Sequence, residues 1–168
     1  MAQVLFAETV LRADYVVDIH CNTPPSLCWV TLHTHDGDPV GDKAAGMAEA
    51  FGITIIQPGP GATWGQLGGA RGMLCDMAAE QGKPGLIVEL QAWTLEEPPV
   101  RTGVRGILNV MKHLGMIEGA IEPQTDVPII FERLAKIRPL RATRGGFVHH
   151  LRKVGDRVAL GDPLAAIL

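Results

Sequence analysis

Short runs that are apolar almost throughout, each set off by a helical pattern, constrain the fold of this chain more than any other feature. The run "ITII" at 53–56 and the run at 85–90 within "KPGLIVEL" lack the alternation of a half-solvated strand. A third run covers 14–19 within "ADYVVDIHCNTPP". Between them lie helical patterns. One falls near 2–13, with Val4, Leu5, Val10 and Leu11. A second is "GDKAAGMAEAFG" with Gly52 past its end, and a third is "ARGMLCDMAAEQG" with Gly82 as its stop. A fourth, "VRTGVRGILNVMKHLG", puts Val104, Ile107, Leu108, Met111 and Leu114 on one stripe. Strands that are apolar on both sides and separated by helices belong to a sheet covered on both faces. The expectation is an α/β fold with a mostly parallel sheet flanked by helices. From about 126 the texture changes to short alternating runs and Gly-Asp turns with no helical period. We therefore expect an α/β domain over 1–125 and a small partial β-module over 126–168.

Composition narrows the function classes. The chain has 168 residues, 46% of them apolar, and 20 glycines and 12 prolines, which suit a turn-rich globular domain better than a helical bundle. A net charge of -3 argues against nucleic acid or an anionic membrane as the main partner. No apolar run approaches the ~18 residues of a membrane span. Three cysteines (Cys21, Cys28 and Cys75), odd in number and without zinc-finger spacing, read as free thiols of a reducing cytoplasm. The N-terminus has no basic lead or cleavage site of a signal peptide. Both ends look cut: no capping residue precedes the first helix, and "GDPLAAIL" stops on an apolar strand pattern. We expect the chain to be the middle of a longer one. Arg133, Lys136, Arg138, Arg141, Arg144, Arg152, Lys153 and Arg157 stand against Asp156 alone in that stretch, which reads as a solvated basic face or one that pairs with acidic chain elsewhere.

Sites in open parallel sheets gather at the carboxyl ends of strands. The first strand delivers Asp18 and His20 on one face just where it should end, and the strand at 85–90 carries Glu89 inside "LIVEL". His20 reads either as a metal ligand or as a satisfied structural histidine. Glu89 reads either as a site residue or as an ion-paired structural acid. Taken together they suggest metal-assisted hydrolysis. A neutral imidazole suits zinc, Asp18 is placed to orient its second nitrogen, and a separate glutamate can carry a proton. Other features weigh less. "HTHDGD" at 33–38 offers His33, His35, Asp36 and Asp38 but reads as a polar surface loop. "QPGPGATWG" lacks the Gly-Lys-Ser/Thr of a phosphate loop. Arg71, Arg101 and Arg105 are candidates for an acidic substrate, with solvent or helix-end pairing as the default. Of His149 and His150, neighbours in a strand pattern, only one can face inward.

The ordered set of segments resembles the succinylglutamate desuccinylase/aspartoacylase family. "ADYVVDIHCNTPP" is similar to its third zinc-ligand segment and "GMLCDMAAEQGKPGLIVELQ" to the stretch with its catalytic glutamate. "GVRGILNVMKHLGMIEG" resembles the helix that follows, and "GGFVHHLRKVGDRVALGDPL" the start of its C-terminal β-module. The resemblance implies a zinc-carboxypeptidase-like fold and hydrolysis of the amide bond of small-molecule N-acyl amino acids. It also implies one zinc ion, with His20 as a ligand, Asp18 behind it and Glu89 as general acid/base. Three features depart from that pattern. No His-x-x-Glu, the family's motif for its first two zinc ligands, occurs in the sequence. The arginine and asparagine motif for the substrate carboxylate is also missing. Where the family commonly has Glu-Leu-Gly, this chain has Glu89-Leu90-Gln91. Two alternatives follow: a non-catalytic remnant or binding subunit of the same fold, and a biotinyl/lipoyl-like carrier module suggested by the barrel-sandwich-like tail. A homo-oligomer is compatible with all three.

Overall fold

The structure, a computed structural model, describes residues 2–22, 26–32, 37–57, 72–91, 97–130, 133 and 140–168. Its centre is strand β4 (Gly85–Gln91), paired on one side with β1 (Val16–Asn22) and on the other with β2 (Trp29–Thr31). Beyond β2 lies β3 (Thr54–Ile56), so the sheet order is β1-β4-β2-β3. The β1–β4 and β2–β3 pairs are parallel and the β2–β4 pair is antiparallel. The mostly parallel α/β sheet read from the sequence is borne out, with one reversed strand that the reading lacked. Three residues are too few to show a period, so β2 had no sequence signal.

Among the described residues four helices flank the sheet: α1 (Ala2–Glu8), α2 (Pro39–Phe51), α3 (Leu74–Glu80) and α4 (Glu97–His113). The alternation of β4 divides them between two faces. Leu86 and Val88 enter a core with Val30, Leu32, Ala44, Met47, Ala48, Phe51 and Val110, which is the α2 and α4 side. Ile87 enters a second cluster with Val10, Val16, Cys75 and Ala78, which is the α1 and α3 side. The expected helix over 2–13 is shorter than its pattern. Thr9 Oγ1 bonds back to the Leu5 carbonyl at 2.5 Å, and a 3-10 turn over Val10–Arg12 replaces the last turn. Helix α2 begins on Asp38, whose carboxylate accepts from the Val40 amide at 3.4 Å, and stops at Gly52 in the left-handed region (φ 84°). Helix α3 begins only at Leu74, where Asp76 accepts from the Met73 amide at 3.2 Å. No helix among the described residues is long and apolar enough to cross a membrane.

The segment after α4 is sewn to it. Asn109, fully buried, donates to the Glu122 carbonyl at 2.8 Å and accepts from its amide at 2.9 Å. Gln124 donates to the carbonyls of Phe51 and Thr102, and Val127 is buried in the main core. Further on, β5 (Val148–His150) and β6 (Ala165–Ile167) form an antiparallel pair. The Gly-Asp turns between them share one construction. Asp156 accepts from the Lys153 amide and Asp162 from the Ala159 amide, each three residues back. His149 and His150 are both exposed.

Asp126 forms an ion pair with Arg105 at 2.7 Å and with Arg101 at 3.2 Å. Hydrogen bonding from Arg105, and secondarily from Arg101, holds its carboxyl below the usual carboxylate range. A depressed carboxylate stabilises the fold above its unfolded pKa, and that contribution is lost as pH falls through the folded one. Asp126→Asn is expected to lower urea stability at neutral pH. The gap to the parent should close at a pH well below the carboxylate range, and a gap that is constant with pH would contradict the linkage.

Candidate metal and catalytic site

Strand β1 runs past its expected end at Ile19 because β4 continues beside it, in register from Val16–Gly85 to Asn22–Gln91. This register sets His20 directly opposite Glu89. Both side chains follow the α1 and α3 side of the sheet, since Glu89 succeeds Ile87 and His20 succeeds Val16 and Asp18 at period two. Past the last cover from α3 the face opens, and His20 is 40% exposed with Asp18 and Glu89 at about half that. His20 Nε2 lies 3.1 Å from Asp18 Oδ2, and Nδ1 lies 3.9 Å from Glu89 Oε1. The imidazole therefore stands between two carboxylates, one within hydrogen-bonding distance and the other just outside it.

Beneath the site, Cys75 is buried. Burial, and then the Asp18 and Asp76 carboxylates, push its thiol up to about 12, so it is no nucleophile at neutral pH. Cys28 is likewise raised by burial, while Cys21 is exposed. None of the three is in a disulfide.

The remaining sequence candidates divide. Arg101 and Arg105 lie on α4, which packs on the other face, and both are committed to Asp126. Arg101 also pairs with Glu97. The structure does not bring them to His20 and Glu89. Arg71, His33, His35 and Asp36 lie outside the described residues, and Asp38 caps α2. The sequence reading passed over Gln91 as a contact. Its side-chain Nε2 donates to the Ser26 carbonyl at 2.5 Å, and its backbone amide donates to Cys28 Sγ at 3.4 Å. The one signal for it was the departure from Glu-Leu-Gly.

Among the described residues no group of three or more His, Cys, Asp or Glu side chains is placed to hold a metal ion. The donor chemistry at His20 fits one ligand position. Asp18 occupies the side of Nε2, and no carboxylate oxygen of the pair reaches hydrogen-bonding distance of Nδ1. A zinc centre takes three protein ligands when catalytic, so these residues fit one position and do not form the centre by themselves.

The class the fold defines is α/β: a mostly parallel sheet between helices, with a histidine and a glutamate abreast at the carboxyl ends of two parallel strands. Comparison with solved structures makes it particular. The chain is similar to the succinylglutamate desuccinylase/aspartoacylase of Rhodobacter sphaeroides, at 26% identity and a TM-score of 0.73, over 99% of this chain and 50% of that one. A succinylglutamate desuccinylase from Silicibacter sp. TM1040 matches at 18% identity and a TM-score of 0.77, covering 99% and 49%. The apo form of the ectoine utilization protein EutE (DoeB) from Ruegeria pomeroyi matches at 18% identity and 0.74, covering 99% and 52%. The chain spans about half the length of these solved structures. No family model matches the sequence, and no curated protein does. The resemblance to the succinylglutamate desuccinylase/aspartoacylase family is borne out at the level of structure: this chain has that family's fold along nearly its whole length.

Proposed function

We propose that the chain carries the proton-transfer half of a zinc-dependent deacylase, which hydrolyses the amide bond of small N-acyl amino acids. The observation that supports it is the pairing of His20 with Glu89 across parallel strands, with Asp18 on the far side of the ring. In this reading Asp18 keeps the imidazole proton on Nε2, which leaves the Nδ1 lone pair facing Glu89 as the ligand atom. Zinc held there would supply Lewis-acid polarisation of the acyl carbonyl and a water of lowered pKa. Glu89 accepts a proton from the attacking water and returns it to the departing amine nitrogen, so the C–N bond breaks with no net proton released by the protein. We further propose that 1–125 and 126–168 act as a catalytic α/β domain and an accessory β-module, in a reducing cytoplasm that suits three unpaired cysteines.

The test is release of free amino acid from a panel of N-acyl amino acids, with and without a chelator. Chelator-sensitive release that is lost in His20→Ala supports the reading, and undiminished release in that variant would sink it. A second outcome concerns the metal alone. With one imidazole in place, the 168-residue chain is expected to keep far less than one zinc per molecule through dialysis, read by metal analysis. Stoichiometric zinc that survives His20→Ala would put the metal elsewhere.

A further inference from the structure

Strands β1 and β2 flank β4 on opposite sides, and both meet its carboxyl end: β1 finishes there at Asn22, and antiparallel β2 starts there at Trp29. Residues 26–28, which lead into β2, lie at that end of β4. Gln91 is the last residue of β4. It holds this lead-in twice, through Nε2 to the Ser26 carbonyl and through its own amide to Cys28 Sγ. Ser26 is buried, and among the described residues its hydroxyl has no hydrogen-bond partner, so Gln91 reaches it through its carbonyl alone.

The end of β1 and the start of β2 bracket the site. Glu89 is in register with His20 on β1 and with Trp29 on β2, so its backbone is fixed only while both strands stay seated. We propose that Gln91 is a positioning residue: its side-chain amide pegs residues 26–28, which lead into β2, to the end of β4 and so keeps the Glu89 carboxylate near His20 Nδ1. The functional meaning of this peg rests on the deacylase reading, but the peg itself is read without turnover. Glycine at this position, common in the family the sequence resembles, has no side chain to serve as such a peg.

The experiment follows the His20 ring signals by NMR in the zinc-free protein, assigned by their loss in His20→Ala. It also follows the rate at which a thiol reagent modifies buried Cys28. Gln91→Met keeps the length of the side chain and removes the donor. It is expected to raise Cys28 labelling about tenfold, the equivalent of one lost hydrogen bond, and to shift the His20 ring signals. The decisive arm is the same substitution in a Glu89→Gln background, where the His20 shift should vanish because the carboxylate it depends on is gone. Gln91→Glu, which stays polar but cannot donate, is read in parallel and should reproduce both effects if the methionine variant fails to fold. Unchanged Cys28 labelling would overturn the peg. An unmoved His20, or an equal shift in both backgrounds, would show that Gln91 does not act through Glu89. Normal hydrolysis by Glu89→Gln would remove Glu89 as the base of the deacylase reading and leave the Gln91 result standing.

Discussion

Glu89→Gln is expected to lower kcat by about 10²–10⁴-fold, the usual worth of a general acid–base, in any preparation of the protein that hydrolyses an N-acyl amino acid. Glutamine keeps the shape of the side chain and its place on β4 opposite His20. It cannot accept a proton from water at a carboxylate oxygen, so the substitution removes the chemistry and spares the architecture. KM should change little, because the lost interaction belongs to the transition state. Zinc content should be unchanged, since the ligand assigned here is His20. His20→Ala makes the contrast, with metal and rate expected to fall together. The measurement is steady-state hydrolysis paired with metal analysis for both variants. If Glu89→Gln retained near-normal turnover, Glu89 would be a structural acid paired with an imidazole, and the proposed mechanism would have no base.

How far this site could be read from the sequence depends on how local its causes are. His20 and Glu89 stood out because a polar residue at the end of an apolar strand is costly without a role, and that signal needs only a few neighbouring residues. Long periodic helices were legible for the same reason, α2 and α4 above all. Partners distant in sequence were not. Asp126 neutralises Arg101 and Arg105 from 25 and 21 residues away, so in sequence the arginines read as solvent- or helix-end-paired, or as candidates for an acidic substrate. Gln91 reaches Ser26 across 65 residues, and nothing in "ELQA" announces that partner. The end of β1 was misjudged because its last pairs, Cys21–Leu90 and Asn22–Gln91, are held by the neighbour strand rather than by their own propensity. Glycines inside α4 count against a helix in sequence terms. In the structure they are the notches that let the helix approach the core.

Phe51→Ala is expected to destabilise the fold by about 3–5 kcal/mol, the range for removing a buried aromatic ring from a core. Phe51 is fully buried at the end of α2, and its ring lies against Gly106 of α4. A Cβ at Gly106 would fall 2.3 Å from the ring, closer than any real contact, so ring and glycine are complementary shapes. The rest of the contact repeats the theme. Alanines (Ala44, Ala45 and Ala48) make up much of the buried face of α2 beside Met47 and Phe51, a Cβ at Gly103 would meet Leu90 at 2.8 Å, and one at Gly46 would meet His113 at 2.9 Å. A domain is typically stable by only about 5–15 kcal/mol, so the loss should show as a large drop in the urea midpoint. Gly106→Ala alone should also destabilise, by about 1–3 kcal/mol, through overpacking against the same ring. The sharper test is the pair: Phe51→Leu vacates the space that the new methyl needs, so the Phe51→Leu/Gly106→Ala protein should lose less stability than the two single changes summed. Strict additivity in that cycle would mean that ring and glycine are not in contact, and the packing of α2 on α4 would have to be redrawn.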